Sequence, residues 1–300
     1  MFKIKTTAGG VTAAIFIILS LVALFSDKIF ASLPMSKYFI ISALTFIFFF
    51  FPAMILKKSS GRKMSVFKKG LKGKWLPAVL CIALAVSFGC MLINAAVYAV
   101  LYKMPSLSAP VNPIAEISWD NPFAAVLAAV IVPAIFEEIY FRGAYLSWFS
   151  PEISMQAIFA GALCFAFFHG GPHNFLGPLA AGFAYGYMTA VFKSVWPAII
   201  AHLINNTLVS IASWYTSGIE KAGLAVPALI TIIIAFLVFL YLSFMFFEPF
   251  VHKIKGKPKL SLTQRRQLSA QSQKVFSFSF YLLIGIWILK WILSLKGVWY

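Results

Sequence analysis

Nine apolar runs, each about the length of a membrane crossing, follow one another along the 300 residues, with only three polar breaks. Inside a bilayer every backbone N–H and C=O must find its partner within the protein, so runs of this kind fold as helices. The chain is 61% hydrophobic with 32 Phe, only 11% of it is charged, and its mean hydropathy is +0.90. Such a composition excludes an ordinary soluble domain. The expected fold is an all-α polytopic membrane protein, a bundle of about eight or nine transmembrane helices with a polar site inside. No internal repeat or separable soluble domain is evident, so residues 1–300 are expected to form one membrane-embedded domain.

The formal charge of +17 could suggest nucleic acid. Its placement points instead to the lipid bilayer. Lys57, Lys58, Arg62, Lys63, Lys68, Lys69, Lys72 and Lys74 share one short loop without an acidic residue, and Lys253 to Lys274 holds seven Lys or Arg and no acid. Basic loops next to apolar helices mark the cytoplasmic side, so no nucleic-acid partner is expected. Helices are predicted over Val11 to Phe25, extending toward Leu33, and then over Tyr38 to Leu56 and Trp75 to Tyr102. Further helices are expected at Phe123 to Phe141, Ile153 to Phe168, Gly177 to Phe192, Trp196 to Tyr215, Ala225 to Phe247 and Val275 to Leu295. The first, preceded by Lys3 and Lys5 and lacking a clear cleavage site, reads as retained. A loop with Pro105, Pro110, Pro113, Glu116 and Asp120 fits the outer face, so the fourth helix runs inward and the ninth outward. Cys81, Cys90 and Cys164 lie in apolar segments with neither metal-ligand nor disulfide spacing, and read as packing residues.

The fourth helix carries Glu137 and Glu138, and Arg142 follows directly after its expected end. Only eight acidic residues exist in the chain, and an ionised group among apolar neighbours in a membrane costs at least a few kcal/mol. On a regular helix Glu138 and Arg142, four apart, share a face and can form an ion pair in the favourable order. Glu137 lies about 100° round and is left without that cation. Glu138 is therefore expected to be ionised and Glu137 nearer neutrality, which suits a general base. The plainer alternative is an ion pair that only locks helix packing.

The remaining polar groups among the apolar runs are mainly His169, His173, His202, Asn205 and Asn206, with Asn94 alone in the third run. Gly170, Gly171 and Pro172 break the helix after His169, whereas His202 and Asn206 share a helix face. Glu137-Glu138-x-x-x-Arg142, Phe165-x-x-x-His169 and His202-x-x-x-Asn206 occur in this order on successive apolar segments. The set resembles the three motifs of the CAAX prenyl endopeptidase and bacteriocin-processing (Abi, or CPBP) family, over roughly Pro122 to Tyr215.

The resemblance implies an intramembrane endopeptidase of a bacterial plasma membrane, with its site toward the cytoplasm and a catalytic core over 122–215. Its substrate would be a membrane-associated or lipidated peptide or protein. By the same resemblance Glu137, helped by His169, activates water; His202 and Asn206 donate to the oxyanion; Glu138 and Arg142 orient the helix. Amide hydrolysis independently needs a base for water and donors for developing negative charge. No cofactor is expected, although zinc remains possible through His169, His173 and His202 with Glu137 or Glu138; the H-E-x-x-H pattern is lacking. The same cluster would also suit a proton relay, or a non-enzymatic immunity or scaffold protein. One geometric difficulty stands: simple counting along inward and outward helices puts the glutamates nearer the inner face and His169 nearer the outer.

Overall fold

The computed structural model describes residues 7–24, 37–60, 70–101, 121–149, 154–171, 174–221, 225–255 and 278–295. Among the described residues there are nine helices and no strand. They are α1 Ala8–Leu24, α2 Lys37–Ser60, α3 Leu76–Leu101, α4 Pro122–Phe149, α5 Met155–Phe167, α6 Leu176–Phe192, α7 Trp196–Lys221, α8 Ala225–Lys255 and α9 Phe278–Leu295. The protein is a polytopic all-α membrane protein, and each expected run is helical where it is described; the extension of the first from Phe25 toward Leu33 lies outside the described residues. By length and composition α2, α3, α4 and α8 can each cross a bilayer, whereas α1, α5, α6 and α9 are shorter apolar helices. The Pro-rich loop, His173 and most of the two basic loops lie outside the described residues.

Contacts give the helix directions. Phe46 meets Phe136, Phe49 meets Tyr140, and near the helix ends Trp148 Nε1 donates to Ser59 Oγ at 3.2 Å. Helices α2 and α4 therefore run parallel, as they must when α3 returns between them. Gly10 lies beside Ser279 and Phe16 beside Lys290, so α1 and α9 also run the same way. Trp75, just before α3, touches Phe192 at the end of α6. Outer faces of the bundle are apolar: Ile234, Tyr241 and Phe244 on α8 are 57, 65 and 69% exposed, as expected for side chains that meet lipid.

Helix α4 differs from the regular helix ending at Phe141 that its apolar pattern suggests. It continues to Phe149 because Arg142 is only 2% exposed and does not mark the membrane boundary. Two π-helical turns interrupt it, at Leu127–Ile131 and Ile139–Tyr145. The first directly precedes Pro133, whose missing N–H and ring disturb the regular ladder. The second begins right after Glu138 and turns Tyr140 through Tyr145 into the protein, all of them buried.

Helix lengths remove the difficulty of depth. Thirteen residues of α5 rise only about 20 Å, short of a hydrocarbon core of about 30 Å. Glu138 lies about 17 Å before the end of α4 at Phe149, and His169 about 20 Å beyond the start of α5 at Met155. Because α5 follows α4 after a short link and runs back, both positions reach a similar depth.

Small residues let α5 and α6 approach closely, as packing within lipid favours. A Cβ on Gly182 would lie 3.0 Å from Ala162 Cα, and one on Gly186 would lie 2.9 Å from Ile158 Cγ2. Gly285 on α9 has nothing within 4 Å of such an atom. Gly182→Ala should therefore destabilise the detergent-solubilised protein by about 1–3 kcal/mol, the cost of overpacking. Gly285→Ala should not, and thermal unfolding of the two variants side by side checks the contrast.

Candidate active site

The site is assembled around one carboxylate oxygen. Glu138 Oε1 accepts from Arg142 Nη1 at 2.9 Å, the ion pair expected from the spacing, and lies 2.9 Å from His202 Nδ1. Glu138, Arg142 and His202 are each at most 2% exposed. Arg142 Nη2 also donates to Gly182 O at 3.1 Å, so these bonds tie α4 to α6 and α7. A buried cation needs such a set of partners: a carboxylate opposite its charge and a carbonyl for a further N–H.

Aromatic rings line the same node. The Arg142 guanidinium carbon stands 4.4 Å from the Phe165 ring centre and 5.4 Å from that of Tyr185. The Phe165 ring meets the His169 ring at 4.4 Å and the His202 ring at 5.5 Å, while Tyr185 stacks on His202 at 5.6 Å. Phe165 is thus the piece of α5 that brings both histidines and the arginine together.

Hydrogen bonds assign the ring protons. His169 Nδ1 lies 2.8 Å from Phe165 O, and a carbonyl only accepts, so Nδ1 carries the hydrogen. In the neutral ring Nε2 then holds the lone pair and can accept a proton. His202 Nδ1 lies against Glu138 Oε1, the same oxygen that accepts from Arg142 Nη1, and a carboxylate oxygen there accepts from the ring N–H. On α7 Asn205 Nδ2 donates to Asn206 Oδ1 at 3.4 Å, turning the Asn206 oxygen toward its neighbour and leaving its amide hydrogens for another acceptor. Glu137 is within electrostatic range of His202, Glu138 and Arg142. Glu137 Oε2, Glu138 Oε2 and Asn205 Oδ1 are buried with no hydrogen-bond partner.

All six candidate residues fall on α4, on α7 or on the turn after α5. Direct bonds join Glu138, Arg142 and His202, while ring contacts attach His169 to them. Among the described residues, no three His, Cys, Asp or Glu side chains converge as metal ligands. Sequence reasoning missed the carbonyl of Gly182 and the ring of Tyr185, and it named Asn205 without a place in the site. Gly182 and Tyr185 sit in a run that reads only as small and apolar, so no polarity or spacing pairs them with Arg142. The three free cysteines are buried, as the packing reading requires.

Removing one member of a buried pair strands the other's charge, typically at about 3–5 kcal/mol. Glu138→Gln and Arg142→Met should each be strongly destabilising, and the double variant should be much milder than their sum. A thermal double-mutant cycle in detergent checks this; additivity would mean that the bond seen here contributes nothing.

No curated protein and no solved structure matches the chain. Residues 119–208, the segment that holds all six candidate residues, match the family model described as Type II CAAX prenyl endopeptidase Rce1-like, the family that the three motifs resemble.

Proposed function

We propose that the protein is a CAAX-type intramembrane endopeptidase that hydrolyses a peptide bond of a membrane-associated or lipidated substrate, with residues 122–215 as its catalytic core. The observation that carries this reading is the Glu138 node. Arg142 and His202 are both taken by Glu138 Oε1, and the adjacent Glu137 carboxyl, which bonds to neither, keeps a buried oxygen that no protein group claims.

In this reading Glu137 takes a proton from water, and His169 Nε2, with its lone pair, orients that water or shares the proton. The hydroxide oxygen attacks the carbonyl carbon. The resulting oxyanion accepts from Asn206 Nδ2 and from His202 Nε2. For His202 to donate there while Nδ1 donates to Glu138, its ring must carry both protons. Two carboxylates, Arg142 and the imidazolium then sum to zero charge, which a low-dielectric site favours. Collapse of the tetrahedral intermediate breaks the C–N bond, and the departing nitrogen takes the proton from Glu137. Donors held in place before reaction are worth most where water is excluded.

The end of the bundle that carries Lys57, Lys58, Lys72 and Lys74 would face the cytoplasm, and the site would open toward it. Glu137→Gln and His169→Ala should fold and insert normally yet lose cleavage by at least about a hundredfold, the usual worth of general-base catalysis. Wild-type turnover of a peptide by either purified variant would overturn these roles.

Metal-independent chemistry is part of the proposal. A zinc site would need three protein ligands and would claim the Glu137 and histidine atoms that water activation uses. Asn206 is a poor zinc ligand and a good amide donor. The purified protein should carry far less than stoichiometric zinc by elemental analysis and keep its activity after exhaustive chelation. Activity lost on chelation and restored by zinc would make the histidines ligands instead.

A further inference from the structure

His169 stands at the start of a turn that is held by side chains from outside residues 119–208. Gly170 has φ 102°, a conformation that favours glycine, and its carbonyl accepts from Trp287 Nε1 of α9 at 2.8 Å. The Trp287 ring packs on Phe167 at 5.3 Å and Phe175 at 5.1 Å, one on each side of the turn. A chain of carboxamides holds the same turn. Asn174 Nδ2 donates to His169 O at 3.1 Å, Asn94 Nδ2 of α3 donates to Asn174 Oδ1 at 3.3 Å, and Gly177 N donates to Asn94 Oδ1 at 3.1 Å. The approach is so close that a Cβ on Gly177 would collide with the Asn94 carboxamide.

Each bond in this set has a defined direction, and two of them end on consecutive carbonyls, those of His169 and Gly170. Fixing both carbonyls fixes the peptide plane between them and with it the Cα–Cβ direction of His169. The Nδ1 bond to Phe165 O then leaves the ring one orientation. We propose that Asn94 and Trp287 are positioning residues for the hydrolytic reaction: acting through Asn174 and Gly170, they hold the His169 turn so that Nε2 points where water is activated. This rests on the protease reading of the same site. A plain packing role would show as lost stability; a positioning role shows at His169.

Two conservative variants separate these roles. Trp287→Phe keeps a ring against Phe167 and Phe175 and removes only the donor to Gly170. Asn94→Asp, measured in alkaline buffer, keeps the acceptor for Gly177 N–H and removes the donor to Asn174. The chain has only four histidines, so ring nitrogen signals of histidine-labelled protein can be followed in micelles by NMR. Trp287→Phe is expected to unfold near the wild-type temperature, and each variant is expected to lower the kcat of its folded fraction about tenfold, the kind of loss a small misplacement causes, with KM within about twofold. The His169 signals should move away from the Nδ1–H tautomer while those of His202 stay. Should Asn94→Asp fail to fold, Trp287→Phe decides alone. Unchanged kcat and His169 signals, or activity lost only in proportion to unfolded protein, would overturn the proposal. If the wild-type protein cleaves no peptide, the protease reading fails, and the His169 signals still decide whether the turn is held in this way.

Discussion

Among the described residues, the polar groups of the site are arranged around Glu138, whose carboxyl group is fully buried. A carboxylate at 0% exposure persists only with a cation and further donors at bonding distance. Arg142 supplies the cation from the same helix, and His202 supplies a donor from α7. The arginine in turn needs an acceptor for its second nitrogen and finds the Gly182 carbonyl, which α6 can present because that residue has no side chain in the way. One desolvated charge thus dictates the mutual placement of three helices. Glu137 next to it bonds to neither Arg142 nor His202.

The wide turn of α4 belongs to the same account. A regular helix would spread consecutive side chains around its axis and turn some of them toward lipid. The π-helical turn at Ile139–Tyr145 buries Tyr140 through Tyr145 together, so Arg142 reaches α6 while Tyr140 reaches α1. Thr12 Oγ1 already donates to Ala8 O at 2.8 Å, so across the 2.7 Å contact between them Tyr140 is the donor. The shortness of α5 complements this turn, since a full-length helix would carry His169 past the glutamates toward the opposite face.

Residues 119–208 carry the motifs, yet several of their side chains and backbone groups are held from outside. Thr12 on α1, Asn94 on α3 and Trp287 on α9 each bond to a group in that segment or in the turn after His169. In lipid, where burial of apolar surface drives helix association weakly, such bonds and close glycine contacts carry much of the specificity of packing. The flanking helices therefore serve as more than filling around the segment that carries the motifs.

The sequence alone determined the class and the parts. Apolar length admits only helices in a bilayer, so all nine were legible, and the i,i+4 spacing of Glu138 and Arg142 foretold their bond. His202 and Asn206 shared a face for the same reason. Tertiary structure decided which partner each polar group takes. That His202 turns Nδ1 to Glu138 and that Asn94 reaches Asn174 depend on helices meeting across 64 and 80 residues of chain. It also decided depth: the difficulty over His169 vanished once α5 ended after thirteen residues and α4 ran on to Phe149. Periodicity reports one helix at a time, whereas hydrogen-bond direction, π-turn geometry and the reach of an arginine are properties of helices packed together.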